Sequence, residues 1–148
     1  MGTLDTVRQL VLDRSAGDMS GAANYAAAVA DATALASSLD CERAEYVDIT
    51  VKITNAGSGP LTKIFIVGRC SGAGQPDILV PTDFSTVNTE SVDTATGLST
   101  VIAYQIEMLA AVGEYTFTMP VRTRWFAPVI WVDVNAGTRA QVFCYRRA

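Results

Sequence analysis

Catalysis without histidine depends chiefly on paired carboxylates, and the 148 residues of this chain include no histidine. The commonest general base and the commonest zinc ligand are therefore missing, and so are the Ser-His-Asp and Cys-His arrangements. The 15 acidic residues are scattered, and those in predicted strands (Asp48, Glu107 and Asp133) fall on faces predicted to contact solvent. No carboxylate pair of the glycosidase kind is indicated. The sequence predicts no catalytic residues and no enzyme.

The three cysteines, Cys41, Cys70 and Cys144, are odd in number and far from any CxxC spacing. Neither a disulfide framework nor a zinc site is indicated. Cys70 and Cys144 lie in strand-like runs, where a free cysteine behaves as a small buried hydrophobic residue. We therefore expect folding in a reducing cytosol. No DxDxDG spacing supports calcium ligation, and no metal is predicted.

Two glycine-rich segments, Gly57-Ser-Gly59 and Gly72-Ala-Gly74, resemble fragments of phosphate-binding loops. Neither precedes a predicted helix or carries a following lysine. Loops between strands explain them better, and no cofactor or small-molecule substrate is predicted.

The net charge of −4 argues against a nucleic-acid partner, which would require a basic face. The arginines late in the chain are interpreted as a solvated face rather than a phosphate site. They are Arg122, Arg124, Arg139, Arg146 and Arg147.

Four aromatic residues cluster in the last strands: Trp125, Trp131, Phe143 and Tyr145. A flat aromatic platform of this kind would suit stacking on sugar rings, and Trp131 shares the parity of Asp133, which would place it on an outer face. Tryptophan and tyrosine also fill cores and subunit interfaces. Packing in a core or an interface is the favoured interpretation, and a sugar platform is the alternative.

The composition indicates a protein whose surface is partly covered by neighbours. Apolar residues make up 49% of the chain and charged residues only 18%, below the usual quarter. No apolar run approaches the roughly 18 residues that span a bilayer. The first residues lack the order of a signal peptide, and the match of Gly2 and Thr6 to a myristoylation pattern is common by chance. No membrane partner is predicted.

Alternating hydrophobicity predicts an all-β protein. The clearest strand places Val47, Ile49, Val51 and Ile53 on one face and polar residues on the other. The run at 61–70 is apolar at nearly every position from Ile64 to Val67, as in a central strand. We expect it to form a hairpin with the strand that contains Val47 and Ile53.

Further strands are predicted around residues 78–80, 102–108, 115–119, 129–134 and 139–145. Residues 85–96 are predicted as a surface loop or an edge strand. A tight turn at Asn135-Ala-Gly137, with Gly137 at positive φ, is expected to join the last two strands as a hairpin. Seven to nine short strands with Gly and Pro turns indicate an antiparallel sandwich or barrel.

The chain is predicted to form one domain at residues 22–148, preceded by residues 1–21. The earlier segment contains a short apolar run and a turn-rich stretch. It is either an arm that pairs with a neighbouring subunit or an ordinary first strand. Residues 22–39 are Ala-rich and fit a helical face and strand alternation equally well. The β-rich context favours a strand.

Residues 30–147 resemble the small jelly-roll β-sandwich proteins of tailed-bacteriophage virions, among them the cement, or decoration, proteins of capsids. The resemblance depends on fold-level patterns rather than on a functional motif. They are Leu39-Asp40 before EYVDITVKITN, the strand KIFIVGRC, the strand YTFTMP, an Arg-Trp-Phe segment, and VIWVDVNAGTRAQVFCY at the end. No functional residue is carried over from the family.

The resemblance implies a jelly-roll-like sandwich that acts as a virion structural protein on the capsid surface and assembles in the host cytoplasm. Its implied partners are the major capsid protein and further copies of itself, commonly as a homotrimer that bridges capsid subunits. A phage tail or baseplate component is the nearest alternative. A carbohydrate-binding β-sandwich module is a second alternative, from a different class of function.

Overall fold

A computed structural model describes residues 4–58, 62–70, 78–80, 86–92, 99–121, 124–133 and 137–148, with the backbone alone at 25–26, 32, 69–70, 78–80, 86–92 and 99–109. The strands are β1 (Gln9–Asp13), β2 (Leu39–Asp40), β3 (Tyr46–Asn55), β4 (Lys63–Cys70), β5 (Ile78–Val80), β6 (Thr86–Val92), β7 (Ser99–Leu109), β8 (Gly113–Pro120), β9 (Trp125–Val132) and β10 (Arg139–Arg147). Helix α1 (Tyr25–Ala30) and a 3-10 turn (Ala32–Ala34) lie between β1 and β2.

The strands form two antiparallel sheets. One has the order β1-β10-β3-β8, and the other has the order β2-β9-β4-β7-β6, with β5 paired to β4. The prediction of an all-β antiparallel sandwich is confirmed.

The strand pairing is nested. β1 pairs with β10, β2 with β9, β3 with β8 and β4 with β7, all antiparallel. The first half of the chain therefore runs beside the second half in reverse order. Successive pairs fall alternately in the four-stranded and the larger sheet.

The main core lies between the two sheets. The face predicted for β3 is confirmed, since Val47, Ile49, Val51 and Ile53 are all at most 1% exposed. The rest of this core comes from β8 and β10 in the same sheet and from β4 and β9 in the opposite sheet, where alternate side chains turn inward. They are Ile64, Ile66, Met119, Phe126, Ile130, Val132, Ala140, Val142 and Cys144.

A second, smaller core covers the outer face of the larger sheet. Phe65, Val67, Val129 and Trp131 project to this side and pack against the segment that contains α1 and the 3-10 turn, through Ala28 and other small residues. The two cores explain why β4 is apolar from Ile64 to Val67 and β9 from Phe126 to Val132: both faces of these segments are buried.

The preference for a strand at 22–39 was wrong for residues 25–30 and 32–34, which are helical. Asn24 caps α1, because its side-chain oxygen accepts a hydrogen bond from the Ala27 amide at 2.9 Å. The small side chain of Ala28, fully buried, lets the helix lie close to the larger sheet. Alanine's helix propensity therefore prevailed over the β-rich context.

Both predicted hairpins were also wrong. β3 and β4 lie in different sheets, and so do β9 and β10. Alternation identifies which face of a strand is buried, but strands on opposite sides of one core bury the same kind of face. Gly137 does adopt positive φ, at +81°, in a connection that crosses between the sheets.

β6 and β1 both lie at edges of the sheets. Within residues 85–96, the described part forms β6, which lies at an edge of the larger sheet, as the edge-strand alternative predicted. At the N-terminus, β1 is an edge strand of the four-stranded sheet and pairs with β10. In the single chain, this segment is therefore the first strand of the sandwich.

Candidate functional site

Among the described residues, a cluster of polar groups lies where the segment around Asp5 and the end of β10 meet β2. β10 turns Ala140, Val142 and Cys144 inward, and Arg146 continues that series with only 9% of its surface exposed. A buried guanidinium requires a partner of opposite charge with matching geometry.

Asp5 is that partner. Its carboxylate accepts hydrogen bonds from Arg146 Nε at 3.0 Å, from Arg146 Nη2 at 2.7 Å and from the Arg146 backbone amide at 2.7 Å. The Asp5 side chain is 2% exposed and that of Arg146 is 10% exposed. Gln9 Nε2 donates a further bond to the carboxylate at 2.7 Å. The Asp5 carboxylate therefore accepts four hydrogen bonds from Arg146 and Gln9.

The same guanidinium joins the two sheets. Arg146 Nη1 donates to the backbone oxygen of Asp40 in β2 at 2.7 Å. The Asp40 carboxylate then accepts two bonds from Arg124, at 3.1 and 2.9 Å. We call Asp5, Arg146, Asp40 and Arg124 the end clamp, because they tie the first residues, β10, β2 and the start of β9 together.

The pKa values of the end clamp all move toward the charged forms. Burial alone would raise the pKa of Asp5, but hydrogen bonds from the side chain and backbone of Arg146 outweigh it and lower the pKa. Hydrogen bonds from Arg124 lower the pKa of Asp40. Both arginines have raised pKa values, chiefly through the hydrogen bonds to their aspartates. None of these groups is poised to exchange a proton near neutral pH.

Two cysteines lie in the core beneath the clamp. Cys41 and Cys144 are both buried, and burial raises the pKa of the Cys144 thiol well above its usual range. A protonated, buried thiol is a poor nucleophile and a poor metal ligand. Among the described residues, no three His, Cys, Asp or Glu side chains are grouped to hold a metal ion.

The other described late arginines also pair with aspartates. Arg139 meets Asp18 at 3.2 Å, and Arg147 meets Asp48 at 3.0 Å. Asp48 also accepts a bond from Thr118 at 2.7 Å. The prediction of a solvated face fits Arg124, Arg139 and Arg147, whose side chains are 42–52% exposed. It was wrong for Arg146, and Arg122 lies outside the described residues.

The aromatic cluster is divided between two environments. Trp131 is on the outer face of its strand, as its parity predicted, but it is only 1% exposed because the α1 segment covers it. It stacks on Phe65 with ring centroids 5.4 Å apart. Trp125 is half-buried, with the Arg124 guanidinium 5.4 Å from its ring centroid. Trp131 is therefore unavailable for stacking on a sugar.

The scattered acids do not converge in the described part of the chain. Asp48 lies in the pair with Arg147, and Asp133 is exposed and accepts a bond from the Lys63 amide at 3.0 Å. The Glu107 side chain lies outside the described residues. Sequence reasoning missed the buried Asp5–Arg146 pair, although Arg146 has the same parity as the inward residues of its strand.

No helix in the described residues has the length and apolarity needed to cross a membrane. A scan against models of known protein families found no match, and searches of curated proteins and of solved structures found none.

Proposed function

We propose that this chain is a structural protein of a tailed-bacteriophage virion, and specifically a cement protein on the outside of the capsid. The observation that carries the proposal is the nested pairing of β1·β10, β2·β9, β3·β8 and β4·β7 across two sheets. A double-stranded ribbon rolled in this way is the arrangement we assign to a jelly roll, an architecture common in viral capsid domains.

The chemistry of the described residues supports a role in contact rather than in turnover. The chain has no histidine, and the buried Asp5 and Arg146 charges neutralise one another within the fold. We propose that the protein acts by surface complementarity, without catalysis, cofactor or metal. Its proposed partners are the major capsid protein and copies of itself, as a homotrimer assembled in the host cytoplasm.

Two other functions were considered, a tail or baseplate protein and a carbohydrate-binding module. A tail or baseplate protein could use the same sandwich, since fold alone does not define location. A carbohydrate-binding module depends on exposed aromatic residues, and the burial of Trp131 removes the residue best suited to that role. We therefore retain the tail as an outcome of the test and set the sugar module aside.

The test is the location of the protein in particles. Virions would be purified from cells that encode the chain and from a matched strain with its gene deleted, then compared by mass spectrometry and cryo-electron microscopy. We expect many copies on the outer head surface and no corresponding density in the deletion strain. Density on the tail alone would replace the cement proposal with the rival location, and absence from particles would overturn both.

A further inference from the structure

The outer edge of β8 is the longest regular edge among strands whose side chains the structure describes. β8 pairs with β3 in an uninterrupted register of eight residues, from Gly113 to Pro120, and ends the four-stranded sheet. At the other end of that sheet, β1 has a bulge between Leu10 and Leu12, and the Ser37 amide donates to the Val11 oxygen at 3.0 Å. Bulges and covering contacts protect an edge from further pairing. Among the described residues, β8 has no bulge in its register and no backbone hydrogen bond on its outer side, and the Glu114 side chain meets Arg8 at 3.8 Å.

The direction of the backbone groups of β8 follows from one hydrogen bond. The Val121 amide donates to the Glu45 oxygen at 2.8 Å. In an antiparallel ladder, bonded pairs recur at every second residue, so Met119, Phe117 and Tyr115 bond to β3 in the observed register. The alternate residues therefore direct their N–H and C=O groups away from the sheet.

Those outward residues are Glu114, Thr116 and Thr118, followed by Pro120. Proline lacks an amide hydrogen and is tolerated in a strand where that hydrogen would point away from the ladder. Pro120 occupies such a position and also limits how far a new strand could extend. The open segment is therefore centred on Thr116.

A second copy of the same strand fits this edge. If two β8 strands pair antiparallel about a two-fold axis at Thr116, Thr116 faces its own copy and Glu114 faces Thr118. No like charges are opposed, and Pro120 is not needed as a donor. Tyr115 and Phe117, both half-buried against the core, come opposite each other, which is a favourable aromatic cross-strand pair.

We infer that the β8 edge joins two copies of this chain into one continuous sheet that passes through both subunits. A contact along one strand edge is smaller than the roughly 800 Å² per partner of a standard stable interface. We therefore expect association that depends on concentration. Because the contact is two-fold, it pairs copies, and in an assembly of trimers it would join one trimer to the next.

The test uses charge at the two-fold axis. Thr116→Lys and Thr116→Glu each place like charges opposite one another, whereas an equimolar mixture places Lys opposite Glu. Sedimentation velocity over a concentration series is expected to show self-association of the wild type, its loss in each variant alone, and its recovery in the mixture. Recovery requires residue 116 to face its own copy, so a merely destabilised fold would not produce it.

Two controls separate the contact from the fold. Thr116 and Thr50 hydroxyls are 3.0 Å apart, and Thr116→Val removes that hydrogen bond without adding charge, so it is expected to keep self-association. Thr6→Lys adds the same charge at an exposed residue before β1 and is also expected to keep it. Failure of the mixture to recover, or equal loss in Thr6→Lys, would overturn the inference. The measurement needs no capsid, so its outcome is independent of the proposed function.

Discussion

At the scale of single residues, the stability of the sandwich depends on a charge placed where its strand would otherwise bury an apolar side chain. Arg146 lies at the end of an inward series of small and apolar residues, and Asp5 neutralises it with a two-pronged hydrogen bond. The pair links the first described residues to the last strand. Its contact with the Asp40 backbone extends the link to the second sheet.

Removing the negative charge is expected to destabilise the protein strongly. Asp5→Asn keeps the size of the side chain but leaves Arg146 charged and buried, which we expect to lower the free energy of unfolding by about 3–5 kcal/mol. Asp18→Asn is the matched control, because the Arg139–Asp18 pair is 41–43% exposed and should cost less than about 1 kcal/mol. Urea unfolding followed by tryptophan fluorescence measures both. If Asp5→Asn and Asp18→Asn lowered the free energy of unfolding by the same small amount, a structural role for the end clamp would be contradicted.

The same pair predicts a pH dependence. The pKa of Asp5 lies below its ordinary value of 3.8, so the unfolded chain binds the proton more readily than the folded one. The stabilisation is therefore complete above that ordinary value and is lost as the pH falls through the lower, folded value. Below about pH 4, the unfolding free energy of the wild type should fall more steeply than that of Asp5→Asn. Parallel curves for the two proteins would show that Asp5 is not the titrating group.

At the scale of strands and helices, the two sheets approach closely where β4 faces β8. Gly68 leaves no room for a side chain: an added Cβ would lie 2.8 Å from Met119 Sδ and 3.1 Å from Phe126 Cε2. The position therefore needs glycine for space rather than for backbone freedom.

Filling that space is expected to strain the core. Gly68→Ala should lower the unfolding free energy by about 1–3 kcal/mol, as overpacking does. Gly17→Ala is the control, because nothing lies within 4 Å of its added Cβ, and it should be neutral or stabilising by up to about 1 kcal/mol. Chemical unfolding of the two variants under identical conditions provides the comparison. If Gly68→Ala lowered the unfolding free energy no more than Gly17→Ala does, the two sheets would be able to move apart more easily than the packing at Gly68 indicates.

For the strands and helices, the sequence predicted the elements better than it predicted which of them pair. Alternation in residues 46–55 and 139–145 correctly predicted strands and their buried faces, because side-chain period follows directly from strand geometry. Alternation does not show which strands pair with each other. The hairpins predicted for β3 with β4 and for β9 with β10 were therefore wrong. The Ala-rich segment was ambiguous because only the outer face of the second sheet, with Trp131 and Val129, determines what packs there. The end clamp depends on residues 141 positions apart, a separation at which local patterns carry no information.

At the scale of the whole molecule, the protein has three layers: a four-stranded sheet, a larger sheet, and the α1 segment on its outer side. Among the described residues, the buried Asp5 and Arg146 charges neutralise each other within the chain. We propose that a partner binds its surface and its β8 edge. This is the organisation we expect of a protein that works by binding neighbours.

We propose that binding of this chain stabilises a capsid, and the most direct measurement is the temperature at which heads release their DNA. Heads from the gene-deletion strain would be titrated with purified protein and heated, with DNA release followed by a dye. We expect the release temperature to rise and then to saturate at a fixed number of bound copies per head. Heads that bind no protein, or that bind it and release DNA at an unchanged temperature, would contradict it.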